Sequence, residues 1–255
     1  MTREIKNFSQ VPENLVFADI LQAIAIGWRL FRSSTLASLA YSAVAVCVGL
    51  ILFTAVTKVG LTPMSLPLAG GFMLMAPAML GGFFHNASIL QDGGKVELST
   101  PFSGFFRAPT ALWIIALFCT FIFLIWLTDA GVLYSFTLGG SDSETGWLWF
   151  PTANRSVFGF WFWGSLMGSF LAFVIFCVSA FSVPLLFEGR ATLIPAVHAS
   201  VRTVFANFLV CMAWALVLSL LTVFSVLLLP LLLVLLPVLA YASYHLYQRV
   251  FPVQD

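Results

Sequence analysis

Charge is what this sequence has least of. Only 8% of its 255 residues are Asp, Glu, Lys or Arg, and 61% are hydrophobic. Soluble domains carry about a quarter charged residues, so a chain this poor in charge cannot cover a surface that faces water. The composition predicts a polytopic membrane protein embedded in a lipid bilayer. The net charge of +1 offers no basic field for nucleic acid, and no nucleic-acid partner is expected.

Other shortages narrow the chemistry. The four cysteines, Cys47, Cys119, Cys177 and Cys211, fall in separate hydrophobic segments without a CxxC spacing. No metal site or disulfide framework is therefore predicted, and each is read as a small buried apolar residue. Residues 1–16 are polar and contain Glu4 and Glu13, so no cleavable leader is expected and the first span directs insertion. There is no P-loop, HExxH, GxSxG or dinucleotide fingerprint. No catalytic residue and no cofactor are assigned, and an enzyme is the least supported class. No acid, lysine or arginine lies at the middle of a hydrophobic segment, where ion-coupled transporters and proton pumps usually keep one.

What the chain does have is long apolar runs. Six are long enough to span at about 20 residues each: Thr35–Val59, Leu66–Leu90, Thr110–Leu133, Val157–Phe187, Phe205–Leu228 and Pro230–Arg249. The fourth is long and should tilt or overshoot. Between the last two, a tight turn is placed at Leu227–Pro230, because proline can open a helix.

Shorter amphipathic stretches precede three of these runs. Phe17, Ile20, Leu21, Ile24, Trp28 and Phe31 form one stripe, and Ile194, Val197, Val201 and Val204 another. A shorter segment opens at Thr100-Pro101, carries Phe102, Phe105 and Phe106, and is closed by Arg107. Thr192 is placed as the cap of the stretch that follows it, with Pro195 in its first turn. Helices this short are unstable alone in water, but beside a span they can lie in the headgroup layer. Arg29, Arg32, Arg107 and Arg202 mark the entries to the spans and are read as cytoplasmic anchors.

The expected fold is all-α: a single six-helix transmembrane domain over 17–251, after a polar tail at 1–16. It comprises three repeated units, about 17–92, 98–189 and 192–251, each an interfacial helix plus a helical hairpin. With both termini on one side, that side collects Arg3, Lys6, Arg29, Arg32, Lys95, Arg107, Arg190, Arg202 and Arg249. The other side holds only Lys58 and Arg155, which predicts that both termini are cytoplasmic. The longest outer loop, about 128–156, carries Gly139-Gly140, Asp142, Glu144 and the Trp147–Pro151 cluster, and reads as a segment resting at the outer interface. Asn86-Ala-Ser88 and Asn154-Arg-Ser156 match the glycosylation pattern.

Three sets of residues are candidates for function. His85 and His245 each stand eight residues after a proline, Pro77 or Pro237, and Glu188 stands four after Pro184. Neutral imidazoles are ligands for haem iron or Zn²⁺, and interfacial histidines also cap helix ends and meet lipid phosphates. Pro77, Pro184 and Pro237 should kink their spans, lining a path or serving packing alone. Gly164, Gly168 and Ala172 form a small-residue stripe for close helix approach, within the bundle or between copies.

Four stretches together resemble a known family: GWRLFRSSTLASLAY near the start, Gly70-Gly71 with Met75-Ala76-Pro77, FSVPLLFEG with ASVRTVFAN, and the closing LPVLAYASYHLYQRV. The chain resembles the bacterial integral membrane family called domain of unknown function 2189, from about Phe17 to Val250. The resemblance implies a six-helix protein of the bacterial inner membrane, and the family supplies no catalytic residues to carry over. Its usual closing pattern, Trp-His-x-Tyr-Arg, is altered here: Tyr244 stands for the tryptophan, and Arg249 comes one place later. Members are at times labelled cytochrome c oxidase subunit I, which three edge histidines, His85, His198 and His245, do not support.

The first expectation is thus a non-enzymatic accessory, assembly or structural component that contacts another inner-membrane protein or a second copy. The alternatives are a facilitator or channel for a small uncharged solute, and a haem- or metal-binding redox protein using His85 and His245.

Overall fold

A computed structural model describes residues 12–58, 65–137 and 155–252. Ten α-helices and no strand occur among them: α1 (Phe17–Ser33), α2 (Thr35–Lys58), α3 (Ser65–Gln91), α4 (Thr100–Phe106), α5 (Thr110–Thr137), α6 (Arg155–Ser179), α7 (Ser182–Phe187), α8 (Leu193–Ala206), α9 (Phe208–Leu227) and α10 (Leu229–Val250). Three stretches are long and apolar enough to cross a membrane, in α5, in α6 with α7, and in α10, and up to five exist if each bent pair counts as one span. The all-helical class holds, with three to five candidate spans among the described residues.

The amphipathic stretches are separate helices that meet their spans at a corner. α1 and α2 are bent by 95°, and α8 and α9 by 103°. At the first corner Ser34 breaks the helix while its N–H still reaches Leu30 and Phe31. At the second the break is Asn207, with φ −116° and ψ 39°. Phe205, expected in the fifth span, therefore belongs to α8. The periodicity of the two helices is continuous in sequence, so hydropathy alone could not locate the corner.

Other boundaries shift for local reasons. The expected fourth span stands as one candidate span, Phe158–Phe187, with a two-residue turn at Ala180–Phe181 between α6 and α7. Pro184 sits in the first turn of α7 and withholds the amide that would bond the Ala180 carbonyl. α5 runs on to Thr137, past the expected end at Leu133. The turn before α10 falls at Leu228, with Pro230 in the first turn as expected. Thr192 stands at the N-cap of α8 in an extended conformation, but its side chain makes no capping bond. Arg107 is the C-cap of α4. The expected interface loop at 128–156 and the polar tail at 1–16 lie largely outside the described residues, as does Asn154.

Packing is uneven along the bundle. The buried side chains gather where α1, α4, α7 and α8 meet the ends of the long helices: Leu112, Ile115 and Cys119 on α5, Cys177 on α6, and the stretch from Val238 to Val250 on α10. Toward the opposite end, α5 and α6 turn apolar side chains outward, among them Phe121, Phe136, Phe162 and Phe170. Half of the spanning window of α10 is buried, against 22% of that of α5. Cys119, Cys177 and Cys211 are buried as expected, but Cys47 is exposed, since α2 turns that face away from the bundle.

Glycines allow the short helices to seat against the long ones. A Cβ on Gly27 would lie 2.5 Å from the Val238 carbonyl oxygen and 3.0 Å from the Ala242 nitrogen. α1 thus touches the backbone of α10. Where α4 crosses α3, a Cβ on Gly104 would come within 2.9 Å of Gly81 O and of Gly82 Cα.

Candidate functional site

The polar groups of the packed end converge on α10. Its residues Tyr241, Tyr244 and Tyr247 recur every third position, so they share a flank of the helix, and all three are fully buried. Phe84 of α3 stacks on Tyr244 at 5.1 Å between centroids, and Phe187 of α7 meets Phe84 edge-on at 6.1 Å. These aromatic contacts exclude water from the hydroxyls beside them.

Glu188, at the end of α7, accepts two of those hydroxyls. Tyr244 donates to Oε1 at 2.5 Å and Tyr247 to Oε2 at 2.6 Å. Arg190 lies 3.6 Å from the same carboxylate. It also donates to the Tyr247 oxygen at 3.0 Å, to the Phe251 carbonyl at 2.7 Å and to the Pro252 carbonyl at 3.2 Å. Between them Gly189 takes φ +66°, the left-handed conformation that glycine tolerates. The Glu188-Gly189-Arg190 turn thereby clamps the end of α10. Hydrogen bonds to a charged group are the stronger kind, so a half-buried carboxylate is held here by donors that do not dissociate from it readily.

One turn earlier, Tyr241 reaches toward α2 and α3. It shares a 2.6 Å hydrogen bond with Ser38, and the Asn86 amide donates to its oxygen at 3.3 Å. Ser34 joins through Ser38 at 3.1 Å. Asn86 is wholly buried, which closes its Asn-x-Ser motif to a glycan; its carbonyl oxygen has no partner among the described residues.

The segment before α1 is tied to the same end. Asn207 accepts the Leu15 N–H at 2.7 Å, and Glu13 N–H donates to the Val250 carbonyl at 3.1 Å. Glu13 pairs with Arg249 at 2.8 Å, and Asp19 lies 3.7 Å from the same arginine. Asp19 also caps α1 by accepting the Val16 N–H at 2.8 Å. Because the Leu15 amide is buried, Asn207→Ala leaves it without an acceptor. That change is expected to destabilise the segment by about 2 kcal/mol, read as faster amide exchange at Leu15 and Val16.

The remaining sequence candidates are dispersed. His85 follows Phe84 and turns toward α4, where its Cβ approaches Gly104, and the charge acting on it is that of Arg107. His245 faces α1, among the charges of Asp19, Arg249 and Arg29. Among the described residues no group of three or more His, Cys, Asp or Glu side chains is placed to hold a metal ion. Pro77, Pro184 and Pro237 are all buried. α3 and α10 continue through Pro77 and Pro237.

Gly164, Gly168 and Ala172 line an open groove of about 560 Å³ between α5 and α6. Trp126 leans across its floor, 2.9 Å from where a Gly168 Cβ would stand. Ser165 and Ser169 are the hydroxyl-bearing side chains along its otherwise apolar walls.

Residues 65–188 match the family model described as predicted integral membrane protein (DUF2189). The segment from α3 through α7 is thus similar to that family. No curated protein and no solved structure matches the chain. The match makes this a multi-pass integral membrane protein and includes Pro77, His85, Asn86, Pro184 and Glu188. The closing variant of the family pattern lies beyond the matched segment, and its side chains now have visible partners. Tyr244 and Tyr247 hold Glu188, and Arg249 holds Glu13. Gln248 exchanges two amide hydrogen bonds with Gln91 at 2.7 and 2.8 Å.

The tyrosine flank was the signal that sequence reasoning passed over. Tyr241, Tyr244 and Tyr247 on α10, and Ser34, Ser38 and Ser42 at fourfold spacing around the first corner, are polar stripes inside apolar runs. Hydropathy averaging conceals such stripes, since tyrosine and serine are only mildly polar.

Proposed function

We infer that this is a non-enzymatic accessory component of the bacterial inner membrane that works by helix contact with a partner in the bilayer. In this reading α2, α3, α5, α6 with α7, α9 and α10 make six spans in three units, and both termini are cytoplasmic. The observation that carries the role is the α5–α6 groove. Its small side chains bring two helix backbones close to the surface, while most of α5 is left unburied. Association in lipid is driven by packing of this kind rather than by a hydrophobic gain.

The test is cysteine crosslinking in native membranes, with Cys47→Ser and Ser165→Cys or Ser169→Cys. An adduct at the mass of two copies or of a defined partner is expected, and Ala172→Phe should abolish it by filling the groove. A chain that stays monomeric and forms no adduct at any concentration would count against the reading. The facilitator alternative draws no support from the three prolines, which are buried in packed helices and do not line the groove.

A further inference from the structure

Ion pairing at the packed end is selective. Arg190 and Arg249 are paired with carboxylates. Arg29, Arg32, Arg107 and Arg202 are exposed, and among the described residues none makes an ion pair. All four stand near the junction of an amphipathic helix with the next long one: Arg32 in the last turn of α1 with Arg29 one turn before it, Arg107 as the C-cap of α4, and Arg202 one turn before the end of α8.

Each junction also has an exposed aromatic ring. His198 is exposed one turn before Arg202 on α8. Trp28 and Phe106 are exposed and immediately precede Arg29 and Arg107 in sequence, and Phe205 is exposed three positions after Arg202. The carboxylates that could neutralise these corners are engaged elsewhere, Glu13 and Asp19 with Arg249 and Glu188 with Arg190. Asp92 and Glu97 lie with Lys95 on the α3–α4 loop.

Guanidinium groups match phosphate geometry, and an adjacent aromatic side chain covers the first methylenes of an acyl chain. We propose that the three helix junctions are binding sites for anionic glycerophospholipids, each taking the headgroup phosphate on its exposed arginine and one acyl chain on its exposed aromatic ring. The occupant is a lipid of the leaflet that this end faces, because α1 and α8 meet their spans at near right angles and show apolar side chains outward. Phe17 and Leu21 on α1 and Ile194 on α8 are exposed. A free phosphate ion would leave those side chains uncovered.

The experiment places the full chain in nanodiscs of phosphatidylcholine and phosphatidylglycerol at three to one, and counts retained lipids by native mass spectrometry. A basic residue near a membrane surface is worth about 1 kcal/mol toward anionic lipid, which is about fivefold in enrichment per arginine. The Arg29→Gln, Arg32→Gln, Arg107→Gln, Arg202→Gln variant should lose the phosphatidylglycerol enrichment. Its unfolding temperature in pure phosphatidylcholine should equal that of the parent chain, which separates lost lipid binding from lost fold. Inorganic phosphate at millimolar concentration should not displace the lipid. Equal enrichment in parent and variant overturns the proposal, as does no preference in the parent. Displacement by inorganic phosphate alone overturns the lipid assignment.

Discussion

Replacing Gly27 by alanine should lower the stability of the protein by about 3 kcal/mol, at the upper end for overpacking a well-packed contact. The added methyl would stand 2.5 Å from the carbonyl oxygen of Val238 and 3.2 Å from the Ala242 Cβ. The first of these belongs to the helix backbone, so no rotamer change can move it aside. α1 would have to lift from α10, which also stretches the Arg249 contacts to Glu13 and Asp19. The control is Gly49→Ala on α2, where nothing lies within 4 Å of the new methyl. Alanine is the better helix former, so that variant should be neutral or slightly more stable. Unfolding of both in the same detergent checks the pair. Equal stabilities would show that α1 does not bear on α10 as described.

Glu188→Ala should cost a similar amount, about 3 kcal/mol, for a different reason. Hydrogen bonds to a charged acceptor contribute about 1.5–3 kcal/mol each and do not add fully when they share a carboxylate. The substitution deprives the Tyr244 and Tyr247 hydroxyls of their acceptor and leaves Arg190 without its counter-charge. Glu188→Gln keeps one carbonyl oxygen and the side-chain volume, and should lose about half as much. A Tyr247→Phe change combined with Glu188→Ala should cost little more than Glu188→Ala alone, since the two residues act through one contact. Unfolding in detergent measures all three, and strict additivity of the double variant would show that the turn and α10 are not coupled.

Both predictions rest on contacts between parts of the chain far apart in sequence. Glu188 meets Tyr247 across 59 positions, and Leu15 meets Asn207 across 192. Periodicity is a local signal and carries no pairing information at such distances. What it does carry was read: the apolar runs, the amphipathic stretches before them, the turn at Leu228 and the arginines at the corners. The two amphipathic stripes were also legible, but not which part of each would pack. On α8 the packed face is Ala196, Ala199, Ser200, Thr203 and Val204, while Ile194 is 81% exposed. Where the surroundings are lipid, a large aliphatic side chain gains little by turning inward, and small residues win the contact because they let backbones approach.

The amino-acid sequence alone determined that this chain is helical and lives in a bilayer, because too little charge remains to hydrate any other form. It also determined where most of the helices begin, through proline and the change from mixed to wholly apolar segments, though not the starts of α7 and α9. Only the tertiary structure decided that α1 and α8 turn by about a right angle. The same is true of the packing that concentrates at their end of the bundle, and of the tyrosines of α10 that gather Glu188, Asn86 and Ser38 around one helix. The physical reason is that composition acts on each residue through its solvent, whereas a buried hydroxyl or a missing Cβ acts only on the neighbour that the fold brings to it.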